Sequence, residues 1–273
     1  AVSEPVEDLL RTFEPVHAVL PIFDYGWTLL VQGQLGEATY CLQKAVDLAN
    51  ETSQPSIAST GYHQLAVTAR ILGDLEQSQA LNERSVAINR TVPGAASELA
   101  SMWPRIGSAL ISLDSGRIDE AERRLRRVLD FLGERKSYAT YRNSAHIGLG
   151  LVLLARGERG EAKALLHEAM GDSDNLYPYT HVRGLIGLAR IAEQEGNPGQ
   201  AADCLRRALL FAGRRSLLEE YVSALLAIAQ MQPQGAPVNE LVQAMLGYVR
   251  SIGLESAEGV LAQAQQISRA TGG

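Results

Sequence analysis

The sequence predicts an all-α fold, a solenoid of antiparallel helix pairs, on three observations. A glycine recurs at Gly33, Gly73, Gly116, Gly157 and Gly196, at intervals of 39–43 residues. Around each glycine the same slots carry small residues: Gly26, Ala66, Ala109, Gly150 and Ala189 before it, Ala38, Ser78, Ala121, Ala162 and Ala201 after it. Small residues in register let helix backbones approach closely, and a fixed period of this size marks a stack of repeats. The third observation is composition: 46% hydrophobic but only 5% aromatic residues, which suits Ala/Leu-rich helix pairs better than a β-sandwich.

The clearest unit is Gly148 to Met170. Leu149 and Leu153 share one helical face before Gly157; Ala162, Leu165, Leu166, Ala169 and Met170 form a stripe at spacings of three and four after it. Glycine suits a helix stop that needs positive φ. One such hairpin cannot bury its apolar faces alone, so neighbours must supply the rest.

In chain order, Val6–Phe13 is a short amphipathic segment within residues 1–14. Residues 15–215 hold five repeats. The first pairs a helix from Pro15 to Val31 with one from Leu35 to Asn50. The second pairs Ser56–Leu72 with Leu75–Asn89, after a polar link containing Pro55. The third pairs Ala95–Ser115 with Ile118–Leu132. Pro21 and Pro104 stand twelve residues before their turn glycines, so both first helices are expected to bend or restart at the same height. The fourth repeat pairs residues 137–156 with 161–170, ahead of a turn at Gly171-Asp-Ser-Asp-Asn. The fifth pairs Pro178–Glu195 with Pro198–Ala212. Residues 216–273 lose the motif and read as a helical cap of three helices, at 217–231, 238–249 and 257–268, shielding the last apolar face.

The small residue, the glycine and the following Glu/Gln–small pair (Glu37-Ala38, Gln77-Ser78, Glu120-Ala121, Glu161-Ala162, Gln200-Ala201) resemble the tetratricopeptide repeat, here in a form longer than 34 residues. The resemblance implies a right-handed superhelix with the first (A) helix of each pair lining a concave face. It also looks like the long-repeat C-terminal modules of bacterial LuxR-type and signal-transduction ATPase regulators. The slots that resemblance assigns to the concave face include Trp27, His63, Arg70, Trp103, Leu110, Leu151, Arg183 and Arg190. Leu20, Phe23, Leu30 and Val31 join them in repeat one. The slots do not reproduce the Lys/Asn/Arg clamp that holds a peptide carboxylate in some such proteins.

The chemistry-bearing motifs point away from catalysis. The chain has no phosphate loop, nucleophile elbow, H-E-x-x-H or C-x-x-C. His17, His63, His146, His167 and His181 make no spaced ligand set, so no metal, cofactor or catalytic residue is expected. Cys41 and Cys204 hold the same slot of repeats one and five and read as separate buried thiols in a reducing, cytoplasmic compartment. The net charge of −6 argues against direct nucleic-acid contact, and the basic run Glu122–Arg127 reads as a solvated helix face. No apolar run reaches membrane-spanning length. The N-terminus lacks the basic start and apolar core of a signal peptide, and the missing methionine suggests a piece of a longer protein.

The functional expectation is a sensor or interaction module of a larger bacterial transcription regulator, taking a protein, peptide or small-molecule effector in the groove. A free-standing adaptor is the alternative, and a homo-oligomer is compatible with either. An enzyme on the solenoid has little support.

Overall fold

The computed structural model describes residues 3–32, 34–92, 94–134, 136–171 and 178–214, together with Ala224 and Ala227. The described elements are helices. In order they are α1 (Ser3–Thr12), α2 (Pro15–Val31), α3 (Leu35–Glu51), α4 (Pro55–Ile71), α5 (Leu75–Thr91), α6 (Ala95–Ala100), α7 (Met102–Asp114), α8 (Ile118–Leu132), α9 (Ala139–Ala155), α10 (Arg159–Gly171), α11 (Pro178–Gln194) and α12 (Pro198–Arg214). A short 3-10 turn, Lys136–Tyr138, precedes α9. The chain folds as two compact units, Ala1–Arg124 and Leu125–Gly273. Most of the expected cap lies outside the described residues; Ala224 and Ala227 within it are helical and buried.

The joints between paired helices follow one rule. The turn glycines at 73, 116, 157 and 196 have φ of 84, 74, 84 and 75°, the left-handed region that glycine enters without strain. Each glycine N–H donates three residues back, to Arg70, Leu113, Leu154 or Glu193. The next N–H donates five residues back, to Ala69, Ser112, Leu153 or Ala192. This is the two-bond helix ending that satisfies the last carbonyls. The residue after each glycine then accepts the first bond of the following helix: Asp74 from Ser78, Arg117 from Ala121, Glu158 from Ala162, Asn197 from Ala201. One residue thus finishes one helix and starts the next, so the pair must fold back sharply. Asp74 adds a side-chain cap, accepting from the Gln77 N–H at 2.9 Å. Gly33 itself lies outside the described residues, but Gln34 N–H donates to Leu29 and Gln34 accepts from Ala38 in the same pattern.

In the first unit α2 packs on α3, α3 on α4 and α4 on α5; α2 also meets α4, and α7 packs on α5. Two close approaches set the spacing. A Cβ added at Gly26 would lie 3.0 Å from Cys41 Cβ and from the Leu42 backbone nitrogen. One added at Gly61 would lie 2.5 Å from Val46 Cγ2. In the second unit α9 packs on α10, α11 on α12 and α9 on α11. Its core gathers Ile147, Leu166, Val182, Leu185, Ile191 and Leu205.

The two matched prolines behave differently. Pro21 sits inside α2, which runs through it without interruption. Pro104 sits in the first turn of α7, because the expected single helix from Ala95 is broken at Ser101 into α6 and α7. A proline lacks the N–H that would bond the carbonyl four residues earlier, so the chain divides where that bond is missing. The chain thus restarts before Pro104 and continues through Pro21.

Cys41 and Cys204 are buried free thiols, and burial raises the pKa of both. In the basic run, Arg123, Arg126 and Arg127 are exposed while Leu125 and Val128 are buried. Arg124 joins Glu120 at 2.7 Å and Glu83 of α5 at 3.3 Å. Among the described residues no helix is long and apolar enough to cross a membrane.

Candidate partner-binding face

The A helix α2 carries apolar residues on two sides. Ala18, Val19, Ile22, Phe23, Gly26, Leu29 and Leu30 form its buried side. Val16, Leu20, Trp27 and Val31 form a second stripe that is 41, 52, 50 and 40% exposed. Positions 16, 20, 27 and 31 recur at intervals of four and seven, so they line one helical face. At 1.5 Å per residue the stripe is about 22 Å long. Asp24 lies within it, exposed. Exposed large apolar side chains scattered singly mean little, but four in register along one helix make an apolar ridge, here interrupted by Asp24.

On α4, which packs beside α2, Thr60 is exposed while Val67, Arg70 and Ile71 are partly buried. His63 turns inward: its Nδ1 lies 2.9 Å from Asn82 Oδ1 of α5. Burial lowers its pKa to about 4; the Asn82 bond acts in the opposite direction and the nearby Arg70 charge adds to the lowering. The neutral imidazole is therefore a structural partner of Asn82 at ordinary pH. Trp103 of α7 is partly buried. Leu110 is only 1% exposed and belongs to the interior. At that burial its side chain is not available as groove lining.

In the second unit, Leu151 and Leu154 are partly buried and pack against the core. A Cβ at Gly187 of α11 would come within 2.8 Å of Leu151 Cδ2, so Leu151 fills the contact between two A helices. Ser144 and Thr180 join the same helices through buried hydroxyls 3.0 Å apart. Arg183 is partly buried and Arg190 exposed, one helical face apart by seven residues. Of the eight expected lining residues, Trp27 and Arg190 are the exposed ones. His63 and Arg70 are brought together on α4. Two residues were missed. Val16 extends the α2 stripe by one further turn, which its spacing of four from Leu20 could have shown. Asn82 occupies a slot where repeats one, three, four and five carry Leu42, Leu125, Leu166 and Leu205; that mismatch was visible.

Among the described residues there is no group of three or more His, Cys, Asp and Glu side chains placed to hold a metal ion. What the geometry offers is a helical-repeat scaffold with an apolar ridge and scattered charges, suited to holding another chain.

Comparison with known proteins agrees with that class. The tetratricopeptide repeat family matches residues 102–127, 143–168 and 182–207, the helix pairs α7–α8, α9–α10 and α11–α12. The chain therefore carries tetratricopeptide repeats on an all-α helical-repeat fold. No curated protein matches the sequence. Among solved structures, the fold is similar to a Rap protein complexed with competence and sporulation factor, at 13% identity and a TM-score of 0.69, covering 98% of this chain and 80% of that one. It is similar to the Rap conjugation gene regulator of plasmid pLS20 in complex with the Phr* peptide, at 16% identity and a TM-score of 0.68, covering 98% and 78%. It is also similar to BtubC from P. vanneervenii, at 17% identity and a TM-score of 0.56, covering 78% and 89%. At these identities the likeness is one of fold.

Proposed function

We propose that this chain is a non-catalytic module that binds an apolar peptide or protein segment on the A-helix face of residues 1–124. The carrying observation is the exposed stripe Val16, Leu20, Trp27 and Val31. An aromatic flanked by aliphatic side chains is the usual anchor of such contacts, and helix-lined grooves commonly receive extended or helical segments. Two fold neighbours solved in complex, one with the Phr* peptide and one with competence and sporulation factor, support the same reading. The module is read as the sensor or interaction part of a larger cytoplasmic bacterial transcription regulator, on the strength of its long repeats. A second reading, an adaptor joining two proteins, draws on Phe131 and Leu210, which are 40 and 44% exposed on the second helices of their pairs rather than on the A helices.

Selection from a random twelve-residue peptide display library tests the binding claim. The wild-type chain should enrich sequences with one or two large apolar anchors, and the Leu20→Asp/Trp27→Asp variant should not. Equal enrichment by a folded variant would remove this face from the account. The regulator context is tested by the complete gene, which should encode an ATPase phosphate loop or a DNA-binding helix pair beside this sequence.

A further inference from the structure

Each repeat is closed by a buried stripe on its second helix, at five, nine, twelve and sixteen residues past the turn glycine. In repeat one the stripe is Ala38, Leu42, Ala45 and Ala49; in repeat three Ala121, Leu125, Val128 and Leu132; in repeat five Ala201, Leu205, Ala208 and Ala212, all buried. Repeat four has Ala162, Leu166 and Ala169, its last slot falling outside the described residues. Repeat two fills the four slots with Ser78, Asn82, Ser85 and Asn89, none more than 3% exposed.

The facing helix α4 is altered to match. Ser59 stands where repeats one, three and five bury Val19, Met102 and Val182. His63 stands where the other repeats bury Phe23, Ile106, Ile147 and Ile186. Ser59 Oγ lies 2.9 Å from Ser85 Oγ and donates to the Ser85 carbonyl at 3.1 Å. His63 Nδ1 meets Asn82 Oδ1, and Ser78 Oγ donates to the Ala66 carbonyl at 2.6 Å. Asn89 Nδ2 is buried with no hydrogen-bond partner. α7, which packs on α5, buries Ser108 and Ser112, and Ser101 just before it is buried too.

A hydrogen-bonded seam and an apolar seam differ in what opening costs. Parting the apolar seam returns leucine and alanine surface to water, against the full hydrophobic penalty. Parting the polar seam exchanges protein partners for water, with little net loss per bond. An unpartnered buried amide even gains by hydration.

We propose that repeat two is a joint built into the first unit, at which α4 and α5 part more readily than α2 and α3. Opening strips α5 of the packing that holds a short helix together, so its intrahelical hydrogen bonds break more readily, and the chain yields there when a partner pulls on the A-helix face that His63 borders. This rests on the packing of repeat two and holds whatever the partner.

Hydrogen–deuterium exchange of the whole chain, read by mass spectrometry, tests it. The slowest amides of α5 should exchange about tenfold or more faster than those of α3, a helix of equal length in the same unit. Replacing the seam with its apolar equivalents (Ser59→Val, His63→Ile, Ser78→Ala, Asn82→Leu, Ser85→Ala, Asn89→Ala) should bring the two helices within about threefold. If circular dichroism shows that this variant is misfolded, Ser59→Ala/Ser85→Ala decides, and α5 exchange should slow. Equal protection of α3 and α5 in the wild type, or unchanged α5 exchange in the deciding variant, overturns the joint.

Discussion

Gly26→Ala puts the repeat packing to a direct test. Alanine is the better helix former by about 1 kcal/mol in a helix interior, so propensity alone predicts stabilisation. The added Cβ, however, would stand 3.0 Å from Cys41 Cβ and 3.0 Å from the Leu42 nitrogen. Both atoms are fixed to the α3 backbone and neither can rotate aside. Restoring a separation of about 3.5–4 Å requires α2 and α3 to part by roughly half an ångström or more along their contact. Overpacking of this kind costs about 1–3 kcal/mol, which offsets or outweighs the propensity gain and leaves a net loss of up to about 2 kcal/mol. Gly36→Ala is the control, since a Cβ there meets nothing within 4 Å. Urea unfolding followed by circular dichroism and tryptophan fluorescence should place the Gly26→Ala midpoint below wild type and the Gly36→Ala midpoint at or above it. Midpoints are compared, because repeat arrays depart from two-state behaviour. A Gly26→Ala chain as stable as the Gly36→Ala chain would refute the tight α2–α3 contact.

Two further outcomes follow from the same packing. Leu110→Ala should lose about 2–5 kcal/mol in the same assay, whereas Leu20→Ala, half exposed on α2, should stay within about 0.5 kcal/mol of wild type. Equal losses would mean that the ridge is core. For His63, burial lowers the pKa from 6.5 to about 4, so the unfolded chain takes up the proton first as pH falls. The contribution is complete above pH 6.5, is lost between 6.5 and about 4, and is flat below. Between pH 7 and 4.5 the wild type should lose roughly 1–2 kcal/mol more than His63→Phe, after allowance for residual solvent screening of the partly buried residue; parallel pH profiles would contradict this.

The glycine register was enough to place the helix ends, because the turn chemistry is local: glycine at positive φ, then one residue serving two helices. α2 and α8 begin and end at the residues expected from that register alone. The break at Ser101 was not legible, since Pro104 offers both a kink and a restart and only the packing of α6 and α7 decides between them. The lining slots were separated only by the structure. In repeat one, slots six and two residues before the glycine are exposed as Trp27 and Val31, yet Leu110 in the first of those slots is interior. A repeat pattern fixes which face a residue occupies, not whether a neighbour covers it. Repeat two shows the reverse case: Ser78 and Ser85 passed as small residues at small-residue slots. Only their bonds to Ala66 and Ser59, and Asn82 beside them, reveal a seam of different chemistry.

The central claim is that the exposed stripe on α2 receives a partner. The most direct measurement is the emission of Trp27 in a Trp103→Phe chain while a display-selected peptide is added. The account predicts a saturable blue shift as the half-exposed indole is covered, lost together with binding in Leu20→Asp. Binding that saturates with Trp27 emission unchanged would contradict it.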